Sequence, residues 1–280
     1  MLLRIALLLG TVLGLAPALA QDVVQSAPFI TTPDEVVVEM LKLANTAPGD
    51  FVIDLGSGDG RIVITAAQRF GARGLGVDLD ERLVGVSREN ARRAGVAERA
   101  EFRVQNALNT DVSRASVVTI YLLPQLIGQL QPRLLDEMRP GARVVTHAFY
   151  MQSWKADEVR KVRLAQRHES QGDESTIYLW VVPAKARGEW RAQLPALGEL
   201  NLRIDQNFQE IEVESPGEGR GFVVEKATLR GDAITWRGTL ELAGRRVQQH
   251  FSGRVHPERI EGELTIAGQE SARLVATRVR

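Results

Sequence analysis

Residues 54–60 read Asp-Leu-Gly-Ser-Gly-Asp-Gly, an acid and three alternating glycines, and this is where residue types able to do chemistry are most concentrated. The apolar run Phe51, Val52, Ile53 precedes it, and Ile62, Val63, Ala66, Ala67 and Phe70 follow at helical spacing. The pattern is strand, tight turn, helix. Gly56, Gly58 and Gly60 permit positive φ and carry no side chain, so a ligand can approach the backbone and the helix can start close to the strand. A dinucleotide fingerprint begun at Gly56 needs its third glycine at position 61, where Arg61 stands. Asp59, at the positive end of the helix, would oppose a phosphate. A phosphate-free ligand carrying an amine and a sulfonium meets no such repulsion. About twenty residues on, Gly74, Leu75, Gly76 and Val77 form a second apolar run ending in Asp78, whose carboxylate can accept both hydroxyls of a ribose.

These residues, Asp54 to Gly60 followed by Gly76-Val77-Asp78, resemble motif I and the next acid of the class I, seven-strand S-adenosylmethionine-dependent methyltransferases. The wider run, from Pro28 through Thr32-Pro33 to Leu122-Leu123-Pro124, is similar to a bacterial branch akin to the small lysine methyltransferases. The resemblance covers residues 28–183 and implies S-adenosylmethionine as cofactor. It implies binding by Asp54, Gly56, Ser57, Gly58, Asp59 and Gly60 in the turn, and by Asp78 and Leu79 after the second strand. It also places the Thr-Pro stretch over the cofactor pocket, which brings in Thr32. At the end of the third strand the family offers an acid or amide to the adenine amino group and a backbone amide to a ring nitrogen; Asn106 and Ala107 match by position. Asn106 is equally a routine turn former. The Asp/Asn-Pro-Pro-Tyr motif by which many amino-group methyltransferases hold the target nitrogen is absent, which leaves Tyr121 as the polar aromatic beside the methyl group. His147, at the carboxyl end of a central strand, is a second catalytic candidate, since a histidine there can face the ligand crevice and take a proton; a structural, hydrogen-bonded histidine is the alternative.

The elements that must position these residues alternate β and α. Thr32 as N-cap, Pro33 at the first helical position and Glu35 three after the cap read as a capping box opening a first helix. Strands follow at residues 51–54, 73–78, 100–104, 116–121 and 142–146, with a helix capped by Asp80 and a helical region over 125–138 interrupted at Pro132. Runs at 162–166 and 176–182 complete seven strands, the last antiparallel at the end of the sheet. The expected fold is α/β: a doubly wound, Rossmann-like methyltransferase domain over 28–183. After a linker at 183–188 the pattern changes to polar and apolar alternation with Gly and Pro punctuation, which predicts a small antiparallel β domain over 188–280, a partly closed barrel or curved sheet of unassigned role.

The 280 residues leave room for two such units. Equal numbers of basic and acidic residues, 35 of each, give no global field for nucleic acid, and the absence of cysteine excludes thiolate nucleophiles, disulfides and zinc-thiolate sites. Four scattered histidines without a carboxylate cluster give no metal site. Residues 1–20 carry Arg4 as their one charge, an apolar core and Ala18-Leu19-Ala20, the form of a cleavable secretory signal. The expected location is the periplasm, with no stable membrane span after cleavage; an uncleaved anchor or a cytosolic protein is the alternative. The expected activity is transfer of a methyl group to an acceptor such as a protein lysine or another amine. Two rival readings stay open: an exported nucleoside- or S-adenosylmethionine-binding protein without chemistry, and an NAD-dependent oxidoreductase.

Overall fold

The computed structural model describes residues 30–168, 170–194, 198–215 and 222–279. The signal segment and the expected domain start at Pro28 lie outside these residues. The first unit is a seven-stranded sheet in the order β3-β2-β1-β4-β5-β7-β6, built from β1 (Phe51–Leu55), β2 (Arg73–Asp78), β3 (Ala100–Val104), β4 (Val117–Ile120), β5 (Arg143–His147), β6 (Glu158–His168) and β7 (Gly172–Val181). β1 to β5 pair in parallel, and β7 is antiparallel to both β5 and β6. The expectation that the last strand ends the sheet is corrected: β7 turns back from β6 and inserts between it and β5, which leaves β6 at the edge. Central strands such as β4 are wholly buried, because helices cover both faces of a doubly wound sheet. These helices are α1 (Asp34–Leu43), α2 (Arg61–Arg69), α3 (Glu81–Arg93) and α4 (Pro124–Glu137).

Two local expectations fail for identifiable reasons. The capping box before α1 does not form: Pro33 is the N-cap residue without a side-chain cap, the Thr32 hydroxyl bonds His147, and Glu35 accepts the amide of Ala165 on β6. Tertiary partners outcompete the local cap. α4 runs through Pro132 without a break. Pro132 and Gly128, whose carbonyl loses its usual partner, are both exposed, so the unmade hydrogen bond is not sealed away from solvent. Asp80 caps α3 as expected, accepting from the amides of Arg82 and Leu83.

The second unit is an eight-stranded antiparallel sheet: β8 (Gly188–Leu194), β9 (Gly198–Asn207), β10 (Glu210–Glu214), β11 (Val223–Arg230), β12 (Ala233–Leu242), β13 (Arg245–Val255), β14 (Arg259–Ile266) and β15 (Ala272–Arg278). Each strand pairs with its neighbour in sequence except at one seam, and β15 returns to pair with β8. At the seam β10 and β11 approach within 8 Å without sharing a ladder. The result is an up-and-down barrel open along one line, filled by Trp190, Trp236, Phe251, Leu264 and Leu274.

The barrel docks at the amino ends of the parallel strands. Gly231, in the β11–β12 turn, has positive φ and sits so close to Gly141, before β5, that a Cβ would lie 2.9 Å from the Gly141 Cα. At the β9–β10 turn Phe208 stacks on Trp154 with ring centroids 5.9 Å apart, and Gln209 accepts from the Trp154 indole at 2.9 Å. Phe208→Ala removes half-buried ring area from this junction and is expected to cost about 2 kcal/mol of stability. Chemical denaturation checks this; the separation of one unfolding transition into two would show that the stack couples the units.

Candidate functional site

A cavity of about 850 Å³ opens at the carboxyl ends of β1, β2 and β4, the crevice where open α/β sheets bind ligands. Its floor is the turn from Gly56 to Asp59. The amides of Gly56 and Ser57 both donate to the Val77 carbonyl at 2.9 Å, which pins the turn to the end of β2. Gly56 has φ +84°, and a Cβ there would lie 2.7 Å from the Leu122 side chain. Gly60, at φ +83°, is needed for packing instead: a Cβ would strike Phe102 at 2.7 Å and Ser87 at 2.8 Å, and Gly60 does not line the cavity. Its expected ligand contact is corrected to a close helix–strand approach.

Asp78 is held from two sides. One carboxylate oxygen accepts the Gly58 amide at 2.9 Å and the other the Asp80 amide at 3.0 Å, fixing the side chain with lone pairs left for two further donors. Leu79, 49% exposed beside it, gives a flat apolar surface, and Asn106 and Ala107 line the same end with Gln105. The Asn106 side-chain oxygen already accepts the Leu108 amide at 2.9 Å, so it caps its own turn while facing the cavity.

At the other end Asp54 is buried and takes a hydrogen bond from the Thr119 hydroxyl at 2.7 Å. Burial, with the charges of Asp78 and Asp59 adding to it, pushes its carboxyl up to about 7. The buried Ser57 hydroxyl has no partner among the described residues. Arg61 grips Asp59 with Nε and Nη2 and donates from Nη1 to the Thr32 carbonyl at 2.9 Å, tying residues 30–33 across the cavity. Among the described residues the wall carries four carboxylates, Asp54, Asp59, Asp78 and Asp80, against the one cation Arg61, and therefore favours a cationic ligand.

Tyr121 and Thr32 line the cavity; His147 does not. His147 is fully buried, its two ring nitrogens engaged by the hydroxyls of Thr32 and Ser175, each at 3.1 Å, and its ring packs 4.1 Å from that of Tyr121. Burial, with the nearby His168 adding to it, lowers its pKa to about 4. The expectation of a proton-accepting base at His147 is corrected: it sits behind the wall and positions Thr32 and Tyr121. Arg61, Gln105 and Leu122 escaped the sequence reading. For Arg61 a signal existed in its place directly after the glycine turn, and for Leu122 in the Leu122-Leu123-Pro124 run that carries the resemblance; for Gln105 none did.

The family described as the ANTKMT methyltransferase domain matches residues 54–158. A protein-lysine N-methyltransferase of Saccharolobus islandicus (strain REY15A) is 38% identical over 160 residues, covering 57% of this chain and 96% of that protein. The chain belongs to the same family of S-adenosylmethionine-dependent methyltransferases as that protein. An adenine nucleotide translocase lysine N-methyltransferase of Mus musculus is 33% identical over 46% of this chain and 56% of that protein. A crystal structure described as an RNA methyltransferase from Salinibacter ruber in complex with S-adenosyl-L-homocysteine is 45% identical, with a TM-score of 0.50, over 56% of this chain and 95% of that one. The oxidoreductase and non-catalytic readings give way to this match.

The residues of the methyltransferase fit its cofactor. S-Adenosylmethionine supplies a methyl carbon already activated by a sulfonium. Asp78 would hold the ribose hydroxyls, Leu79, Asn106 and Ala107 the adenine, and Asp54 with Ser57 the methionine end. Asp78→Ala is expected to weaken cofactor binding tenfold or more, the loss of about 1.5–3 kcal/mol from charge-assisted hydrogen bonds, as read by calorimetry. A second expectation concerns Asp54. Its folded-state pKa lies above that of the unfolded chain, so its contribution to stability without cofactor is full below pH ~4 and is lost as pH rises through about 7. A cationic ligand favours the ionised carboxylate. Binding near pH 7 should therefore release roughly half a proton, measured in buffers of different ionisation enthalpy, and Asp54→Asn should abolish that release.

Proposed function

We propose that this methyltransferase transfers its methyl group to the ε-amine of a protein lysine. The observation that carries the reading is the acidic cavity on a chain that spans 96% of the Saccharolobus islandicus protein-lysine N-methyltransferase. A lysine reaches the methyl carbon as a cation, and the carboxylates at the cavity wall draw it in while repelling a phosphate backbone. That same repulsion disfavours RNA, the second reading, which is motivated by the 45% identical chain described as an RNA methyltransferase.

Much of the acceleration of such an in-line displacement comes from holding the attacking nitrogen about 3–3.5 Å from the carbon. Tyr121, Leu122 and Leu123 at the head of α4 and residues 30–32 opposite them form the part of the cavity beyond the cofactor-holding acids. They exclude water and line the route for an alkyl chain. We also propose that residues 1–20 direct export, so that the mature chain begins at Gln21; amino-terminal sequencing of chain recovered from the periplasm tests this, and an intact Met1 in the cytosol would reject it.

With tritiated S-adenosylmethionine and a cell extract, a discrete protein band is expected to acquire label on lysine, and Asp78→Ala to remove it. Label that survives protease and disappears with ribonuclease would establish the RNA reading instead.

A further inference from the structure

A lysine side chain is an ammonium at neutral pH and must lose a proton before it can attack a methyl carbon. His147, buried between two hydroxyls, is not placed to take that proton. A second histidine is. His168, the last residue of β6, is half-buried beside the cavity wall, its ring centroid 6.4 Å from that of His147.

The hydrogen bonds around His168 fix its tautomer. Its Nε2 lies 2.9 Å from the Thr31 carbonyl oxygen, which can only accept, so in the neutral ring Nε2 carries the hydrogen and Nδ1 is bare. Nδ1 lies 3.1 Å from the Ser170 hydroxyl, which therefore donates to it. The Ser170 oxygen in turn lies 3.2 Å from the Tyr121 hydroxyl, which is left to donate to Ser170. The three side chains come from the end of β4, the β6–β7 turn and the end of β6, and every bond in the row points the same way. Tyr121, at the head of the row, lines the cavity.

We propose that Tyr121, Ser170 and His168 form a proton relay that deprotonates the acceptor amine. The proposal rests on the reading of lysine as acceptor. The ammonium gives one proton to the Tyr121 oxygen; the Tyr121 O–H proton passes to Ser170, and the Ser170 O–H proton passes to Nδ1 of His168. One N–H bond of the substrate is broken, one N–H bond of the imidazole is formed, and both hydroxyls regain their protons. The resulting imidazolium donates to the Thr31 carbonyl and back to the Ser170 hydroxyl, gives up the long 3.4 Å bond that Nδ1 accepts from the Ser170 amide, and releases the proton to solvent at the rim. The amine lone pair freed at the head of the row is the nucleophile. Titratable groups near His168 among the described residues include His147 on β5, Tyr121 after β4, and Glu35 on α1, which holds the Ala165 amide three residues earlier on β6.

The test uses the full chain, labelled S-adenosylmethionine and a protein extract as the acceptor pool. His168→Gln and Ser170→Ala are expected to lower the transfer rate near pH 7 by ~100-fold with cofactor affinity unchanged, and to recover toward high pH, where the amine loses its proton unaided. Tyr121→Phe is expected to show the same altered pH profile. Nitrogen NMR of the protein without cofactor is expected to show His168 with a bare Nδ1 and a protonated Nε2. Wild-type pH profiles in the His168 and Ser170 variants, or the opposite tautomer, would overturn the relay and leave the lysine reading standing. Label found on RNA alone would overturn the lysine reading, and the relay with it, since no ammonium proton would need to be carried.

Discussion

The carboxylate of Asp78 is held between the amides of Gly58 and Asp80, and much of the cavity is arranged around that clamp. It joins the glycine turn after β1 to the end of β2, and the Val77 carbonyl, taking the amides of Gly56 and Ser57, closes the same junction one residue earlier. The turn can come this close only because positions 56, 58 and 60 accept positive φ. Gly76 belongs to the same constraint: a Cβ there would lie 2.6 Å from the Phe102 ring and 2.7 Å from the Ser57 Cβ. Glycine in the turn and on β2 allows the acid to be both rigid and open to a ligand.

A second set of contacts closes the cavity from above. Arg61 reaches from the first turn of α2 to the Thr32 carbonyl, while the Thr32 hydroxyl bonds His147 and the Thr31 carbonyl takes the His168 ring. Residues 31 and 32 are thus tied to α2, β5 and β6. This explains why Thr32 abandons the capping role that its sequence context favours: a buried histidine nitrogen without a partner would cost more than an uncapped helix end.

The barrel takes no part in the cavity. Its contacts run through Gly231, Phe208 and Gln209 to the segments around Gly141 and Trp154, at the amino ends of the strands, while the cavity lies at their carboxyl ends. None of its described residues lines the cavity.

By itself the sequence determined the chemistry of cofactor binding and the class of fold. A strand ending in Asp54, three alternating glycines and an acid at Asp78 need only local geometry to define the turn, and β/α alternation follows from periodicity, while the antiparallel last strand is what the family resemblance implies. Alternation after residue 188 likewise carried the antiparallel sheet. What only the tertiary structure decided is which polar side chains meet. His147 and His168 occupy comparable strand ends, yet one is sealed between two hydroxyls and the other is joined through Ser170 to Tyr121 at the cavity. Partners 115 and 137 residues away in the chain settle that difference, and no local pattern records them. The closure of eight strands into a barrel was undecided for the same reason, since it depends on β15 pairing with β8, the two strands farthest apart in that unit.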